Sequence, residues 1–180
     1  MTPREVEEYR ALRATIRERG TARIWVVLAG FVAWAALTVA TSALLALPVA
    51  ALLPLLLLAV TFEIAFRVHT AVERIGRYIQ VVFETDPSEA GWEHYAMAYG
   101  RSFHMRGGDP LFCTHFWIAT LLNFVPSLLA GAVPIEWSSV GAIHLLFAVR
   151  VMVARREASR QRALELERFK RLRESQNLSH

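Results

Sequence analysis

Glu63 and Arg67 are the residues of this chain best placed to do chemistry. They lie one helical turn apart, directly after a membrane-grade apolar run (LLPLLLLAVTF, residues 52–62). An ionisable side chain at bilayer depth costs about 2.5 kcal/mol or more at the centre, so a carboxylate there is a functional candidate by default. It can serve permeation, proton coupling or ligand binding. Equally, an i,i+4 guanidinium can neutralise it as a structural ion pair. His115, Asn123 and His144 are isolated polar side chains inside two other apolar runs. Facing one another they would act as interhelical glue, and facing water they would line a pore.

The remaining candidates are weaker. His69 and Glu73 have the i,i+4 spacing that puts two metal ligands on one helical face, and Glu93, His94 and His104 follow in the next segment. No HExxH or HxxxH occurs, so no metal is expected. The single Cys113 excludes an intrachain disulfide and a cysteine-built zinc site. Its expected role is that of a small buried hydrophobe. Gly107-Gly108 is not followed by GK[ST] or a GxG pattern, and no Ser or Cys has a partnered base in view. Neither a nucleotide nor any other cofactor is expected.

The elements that must position these residues are membrane helices. From Ile24 to Phe62 there is no Asp, Glu, Lys or Arg, and from Leu111 to Val149 the only one is Glu136. Each window is about twice the ~20 residues that cross a bilayer core as a helix. The expected fold is therefore an all-α integral membrane protein with four transmembrane helices in two hairpins (21–68 and 111–153). Pro48 and Pro54 punctuate the first turn, with Pro54 at the start of the second span, and Pro126 is expected to bend the third. Ala29, Ala33, Ala36 and Ala40 form a small-residue strip on the first span, a surface that lets a neighbouring helix approach closely. Trp25 and Trp137 sit where indoles favour the interface.

Charge sets the orientation. Six Arg precede Ile24, five lie between Glu63 and Pro110, and nine Lys/Arg follow Val149. The predicted outer turns have none, which by the positive-inside pattern puts both termini and the central segment in the cytoplasm. The same distribution assigns the basic residues to topology and anionic headgroups, not to nucleic acid.

Three cytoplasmic stretches flank the hairpins. Residues 1–20 form an amphipathic helix, opened by the capping-box spacing of Thr2 and Glu5 and stopped at Gly20. Its leader carries Glu5, Glu7, Glu8 and Glu18, which argues against a cleaved signal peptide. Residues 69–110 begin as an extension of the second span. Its apolar face carries Ile64, Val68, Ile75, Ile79 and Val82 and requires a protein partner. After Asp86-Pro87 a second helix, 88–101, should present Trp92, Tyr95, Tyr99 and Phe103 on one side. Asp109-Pro110 opens the third span by the same cap-plus-proline rule. Residues 154–180 form a charged helix in which Leu166, Phe169 and Leu172 make a thin apolar seam, and Arg150 before it is expected to snorkel.

These features lead to a multi-pass membrane protein that acts by assembly or partner binding through its cytoplasmic helices, as a scaffold or sensor. The expected partners are another copy of the chain or a second protein. An oligomeric channel or small-solute carrier using Glu63, Asn123 and His144 is the alternative, and a membrane metal- or lipid-processing enzyme the next. The excess of Arg over Lys170, the one lysine, suits a GC-rich bacterial genome and hence a bacterial inner membrane.

Overall fold

A computed structural model of the chain describes residues 1–44, 47–84, 91–96, 111–129 and 133–178. These residues are helical, with no strand among them. The long elements are α1 (Pro3–Leu44), α2 (Leu52–Val82), α3 (Cys113–Leu129) and α4 (Pro134–Leu178), with a 3-10 turn at Pro48–Ala51. A short helical turn covers 92–96. Three of the helices, α1, α2 and α4, are long and apolar enough to cross a membrane. The α3 helix, at 17 residues, lies at the short end of the spanning range of roughly 17–25. Tyr99, Phe103, His104, Gly107-Gly108, and the helix starts expected at Asp86-Pro87 and Asp109-Pro110, lie outside the described residues.

The first helix is longer than expected because a predicted break is absent. Gly20 does not stop α1, which continues for 42 residues, roughly 63 Å at 1.5 Å per residue. Glycine costs about 1 kcal/mol in a helix interior, too little to end a helix that strong formers continue on both sides. A Cβ at Gly20 would meet nothing, so no close approach needs a glycine there. The last span and the charged C-terminal segment are one helix of 45 residues, α4. The cap expected at Thr2 forms. Glu5 N donates to Thr2 Oγ1 (3.3 Å) and Thr2 N to Glu5 Oε2 (2.6 Å), a reciprocal capping box. Pro54 falls in the first turn of α2, where its missing N–H costs nothing.

The chain divides into two compact units. The apolar unit comprises Arg23–Arg67 and the described residues from Leu111 to Arg156. At its centre Phe62 of α2 and Phe116 of α3, both fully buried, meet edge to face at 5.1 Å, with Phe147 of α4 at 6.1 and 6.4 Å and Phe31 of α1 at 5.0 Å from Phe116. Such edge-to-face pairs add about 0.5–1.5 kcal/mol each beyond area burial. The outer surface is apolar as well. Ile24, Leu28 and Val32 on α1, Leu56 and Val60 on α2, Leu121 and Leu122 on α3, and Leu145 and Leu146 on α4 are all exposed. A bundle built for water would bury these and turn charges outward.

Close helix approach in this unit depends on a residue other than those anticipated. Ala29, Ala33, Ala36 and Ala40 are exposed. The contact is made by Gly30, where an added Cβ would overlap the side chain of Thr61 and lie 2.9 Å from its Cβ. The absent methyl lets α1 and α2 touch.

The charged unit comprises residues up to Ala22, the described residues from Val68 to 96, and those from Glu157. Its aromatic contacts link the start of α1, the end of α2 and the end of α4. Tyr9 meets Phe83 at 5.6 Å, and Tyr78 meets Phe83 at 6.0 Å and Phe169 at 5.7 Å. The face of α2 turned inward differs from the expected one. Within this unit Ile79 is fully buried but Val82 is exposed and Val68 and Ile75 are half-buried, while Ile64, in the apolar unit, is exposed. The buried positions are instead His69, Gly76, Arg77, Gln80, Val81 and Glu84. Of this polar face, Glu84 is received by Arg13 of α1 and Arg77 pairs with Glu73 one turn back on its own helix.

Candidate functional site

Asn123 is the centre of the apolar unit's polar chemistry. It lies on α3, completely buried. Its Oδ1 accepts from Trp34 Nε1 at 3.1 Å, with Thr38 Oγ1 at 3.4 Å. Its Nδ2 donates to the carbonyl of Ala51 at 2.8 Å and lies 3.0 Å from His144 Nε2. One carboxamide thus joins α1, the 3-10 turn and α4 to α3. Both of its N–H groups are in use and Oδ1 holds the Trp34 bond, while the Thr38 proton goes to the Trp34 carbonyl at 2.8 Å.

The same contacts fix the state of His144. Its Nδ1 lies 2.8 Å from the Val140 carbonyl, which can only accept, so Nδ1 carries the proton. Nε2 then receives the Asn123 N–H. His144 is held as the neutral Nδ1–H tautomer, an assignment made from the hydrogen-bond network. A second proton on Nε2 would face the Asn123 amide donor, and turning that amide would break its bonds to Ala51 and Trp34. The Phe124 ring, 5.1 Å away, closes one side. Nearby, Ser127 Oγ donates to the Pro48 carbonyl at 3.0 Å, and Trp117 Nε1 to the Ala148 carbonyl at 3.2 Å.

Glu63 finds its partner across the bundle. Arg150 of α4 takes its carboxylate in a two-point contact, Nε to Oε1 at 2.8 Å and Nη2 to Oε2 at 3.0 Å. The guanidinium also lies over the Phe66 ring, 5.2 Å from its centroid. Arg67, the neighbour suggested by spacing, is exposed. A planar fork on a facing helix can meet both carboxylate oxygens, and this favours Arg150. Arg150, which was expected to snorkel, makes this pair.

His115 is not part of the hub. It is exposed, two turns before Asn123 on α3, with its ring against Phe112 at 6.0 Å. Phe112 itself has φ of 54°, a left-handed backbone that costs a non-glycine residue about 1–2 kcal/mol. The Arg23 guanidinium lies 6.0 Å from its ring centroid. Cys113 is buried and reduced.

In the charged unit the central group is Arg13. Its Nη1 contacts Glu93 Oε1 at 2.6 Å and its Nη2 contacts Glu84 Oε1 at 3.1 Å. Glu84 also accepts the backbone N–H groups of Glu93 (3.3 Å) and His94 (3.1 Å), satisfying the open N-terminus of the 92–96 turn. Gly91 must be glycine for this, since a Cβ there would run into the Glu84 carboxylate. Glu73 is shared between Arg77 (2.8 Å) and Arg162 (2.7 Å), and Arg74 pairs with Glu165 at 2.8 Å. Tyr78 donates to Glu8 at 2.9 Å. Burial, and after it that hydrogen bond, raises the Tyr78 phenol above its ordinary value. Glu73 is thus engaged by two guanidinium groups. His69 is buried on the same helix. Among the described residues no three His, Cys, Asp or Glu side chains come together as a possible metal site.

Part of this was legible and missed. Trp34, Thr38 and Thr41 recur at steps of four and three, the polar face of the apolar second half of α1. That periodicity points at Asn123 from the helix it bonds. Arg13, Glu84 and Glu93 carry no comparable signal, because their meeting depends on residues more than seventy positions apart.

No protein-family model matches this chain, and neither a curated protein nor a solved structure matches it.

Proposed function

We propose that the chain is a four-span membrane protein, with both termini and the charged unit on the cytoplasmic side of a bacterial inner membrane, acting as a scaffold or sensor through that charged unit. The observation that favours this over a channel is that both Asn123 N–H groups and its Trp34 bond are committed inside the bundle. A pore-lining amide keeps its donors free for water or ions, whereas both donors of this one are engaged, one of them by a neutral His144. Glu63, the remaining intramembrane candidate, is already paired with Arg150.

Support for a binding role comes from the surface of the charged unit. Trp92 and Tyr95 are 71% and 67% exposed on the 92–96 turn, and Leu164 and Leu172 are exposed on α4. Large apolar side chains on a unit otherwise laced with ion pairs are the usual mark of an interaction site. The partner is a second copy of the chain or another protein. Cys113 and Ile79 are fully buried and unsuited to crosslinking, so the test uses cysteine placed at Trp92 or Leu172. Disulfide or bifunctional crosslinking in native membranes should trap a defined product, lost on Tyr95→Ser. A chain that stays monomeric and uncrosslinked from both positions would sink the proposal. Proton or solute flux in liposomes that Glu63→Gln abolishes would restore the channel reading.

A further inference from the structure

A cavity of about 310 Å³ opens within the charged unit, between the end of α2, the 92–96 turn and the facing stretch of α4. Gln80, 5% exposed, lines it, and its Oε1 is buried with no hydrogen-bond partner among the described residues. A buried amide oxygen left unsatisfied is rare and calls for an occupant. The space is far larger than one water, whose share of the liquid is about 30 Å³. It lies at the low end for small-molecule sites. Val81, buried, and Leu166, half-buried, give it an apolar wall.

Charges of both signs surround it. Lys170 and Arg173 of α4 bring positive charge. Arg173 gives Nη1 to the Val81 carbonyl at 2.6 Å. That leaves its Nε and Nη2 edge, the parallel pair of N–H groups that meets a carboxylate at two points. Lys170 lies 3.5 Å from Glu167, a loose contact between two exposed side chains. Glu84 and Glu174 bring negative charge. Glu84 is held by Arg13 and by the N–H groups of Glu93 and His94, with His94 Nδ1 3.5 Å from its Oε2. Glu174 is exposed at the rim, one turn beyond Lys170. The end of α2 at Val82 adds the negative end of its dipole beside Gln80. A lone anion would therefore meet Glu174 and the α2 carbonyls, and a lone cation would meet Lys170 and Arg173. An occupant with one charge of each sign satisfies both sides.

We propose that this cavity binds a free α-amino acid as its zwitterion, with the carboxylate on Arg173 and Lys170, the ammonium on Gln80 Oε1 and Glu174, and an apolar side chain against Val81 and Leu166. The exposed rim of Lys170 and Glu174 leaves the site open to water. The inference deepens the sensor reading of the charged unit and rests on it for the cytoplasmic supply of ligand. Binding to the purified protein is read apart from crosslinking in membranes, so the failure of one is distinguishable from the failure of the other.

The test is titration calorimetry on the full-length protein in neutral detergent, with L-leucine, L-alanine, isocaproate and isoamylamine as probes. Isocaproate is leucine without its ammonium, and isoamylamine is leucine without its carboxylate. Saturable one-to-one binding of L-leucine is expected, with each single-charge analogue weaker by about tenfold or more. Binding of L-alanine in place of L-leucine would also support zwitterion recognition and assign a smaller side chain. Gln80→Leu removes the buried acceptor at similar size. It should weaken amino-acid binding about tenfold while melting at or above the parent temperature, since it also removes an unsatisfied group. Arg173→Gln should weaken L-leucine and leave isoamylamine as it was. No saturable binding of either amino acid, analogues that bind as well as L-leucine, or binding unchanged by both variants would overturn the proposal.

Discussion

Replacing Asn123 by leucine tests the central claim about the apolar unit, because leucine keeps the same branched heavy-atom skeleton and removes every hydrogen bond. Three partners are orphaned at short range: Trp34 Nε1–H, the Ala51 carbonyl and His144 Nε2. Interhelical bonds in membranes average about 0.6 kcal/mol each, which sets a floor of roughly 2 kcal/mol for three. A buried group left without a partner costs about 1–3 kcal/mol, which would carry the total higher. Relaxation of Trp34 and of the Ala51 carbonyl toward helical partners will recover part of it. The expected cost is therefore about 2–4 kcal/mol, read from reversible unfolding in mixed detergent–SDS micelles. A double-mutant cycle with His144→Phe apportions it. Once Asn123 is gone, removing its imidazole partner should cost less than it does alone, by about 1 kcal/mol. Strict additivity, or an Asn123→Leu protein within about 0.5 kcal/mol of the parent, would refute the hub and reopen Asn123 as a solvent-facing residue.

Three further outcomes follow from the packing and the ion pairs. Gly30→Ala should cost about 1–3 kcal/mol, the usual penalty for overpacking, and Thr61→Ala in the same chain should recover most of it in the same unfolding assay. For Glu63 and Arg150, each more than a third exposed, single alanine variants should cost about 1 kcal/mol each, discounted for that exposure. The double variant should cost less than their sum. Tyr78 has its folded-state value raised by burial and by its bond to Glu8, so its contribution to stability is complete below about pH 10 and is lost as pH rises through the folded value. Alkaline titration followed near 295 nm should show a late-ionising phenol that Tyr78→Phe removes. Were that component unchanged, the Tyr78–Glu8 contact would be wrong.

Local patterns carried much of the fold, and distant pairings carried what they could not. The charge-free windows are a one-dimensional property, so the long apolar helices could be read directly from composition. The capping box at Thr2 and Glu5 is likewise a spacing within one turn. The break expected at Gly20 failed because helix continuation is cooperative and a single glycine is a weak stop. The face chosen on the α2 extension failed for another reason. Hydrophobicity sorted Ile64 and Val82 inward, but Arg13 and the N–H groups of the 92–96 turn receive Glu84 inside, and Glu73, half-buried, is shared by Arg77 and Arg162. Glu63 shows the same lesson in small. The i,i+4 rule named Arg67, and the three-dimensional answer, Arg150, lies 87 residues away.

That late partner bears on how the chain is made. Glu63 and Asn123 emerge from the ribosome before the residues that satisfy them, Arg150 and His144, both of which arrive with α4. Until α4 is made, the Glu63 carboxylate lacks its guanidinium and the Asn123 amide holds only its partners on α1 and the 3-10 turn. A chain truncated before α4 would therefore leave Glu63 unpaired by Arg150 and Asn123 one partner short.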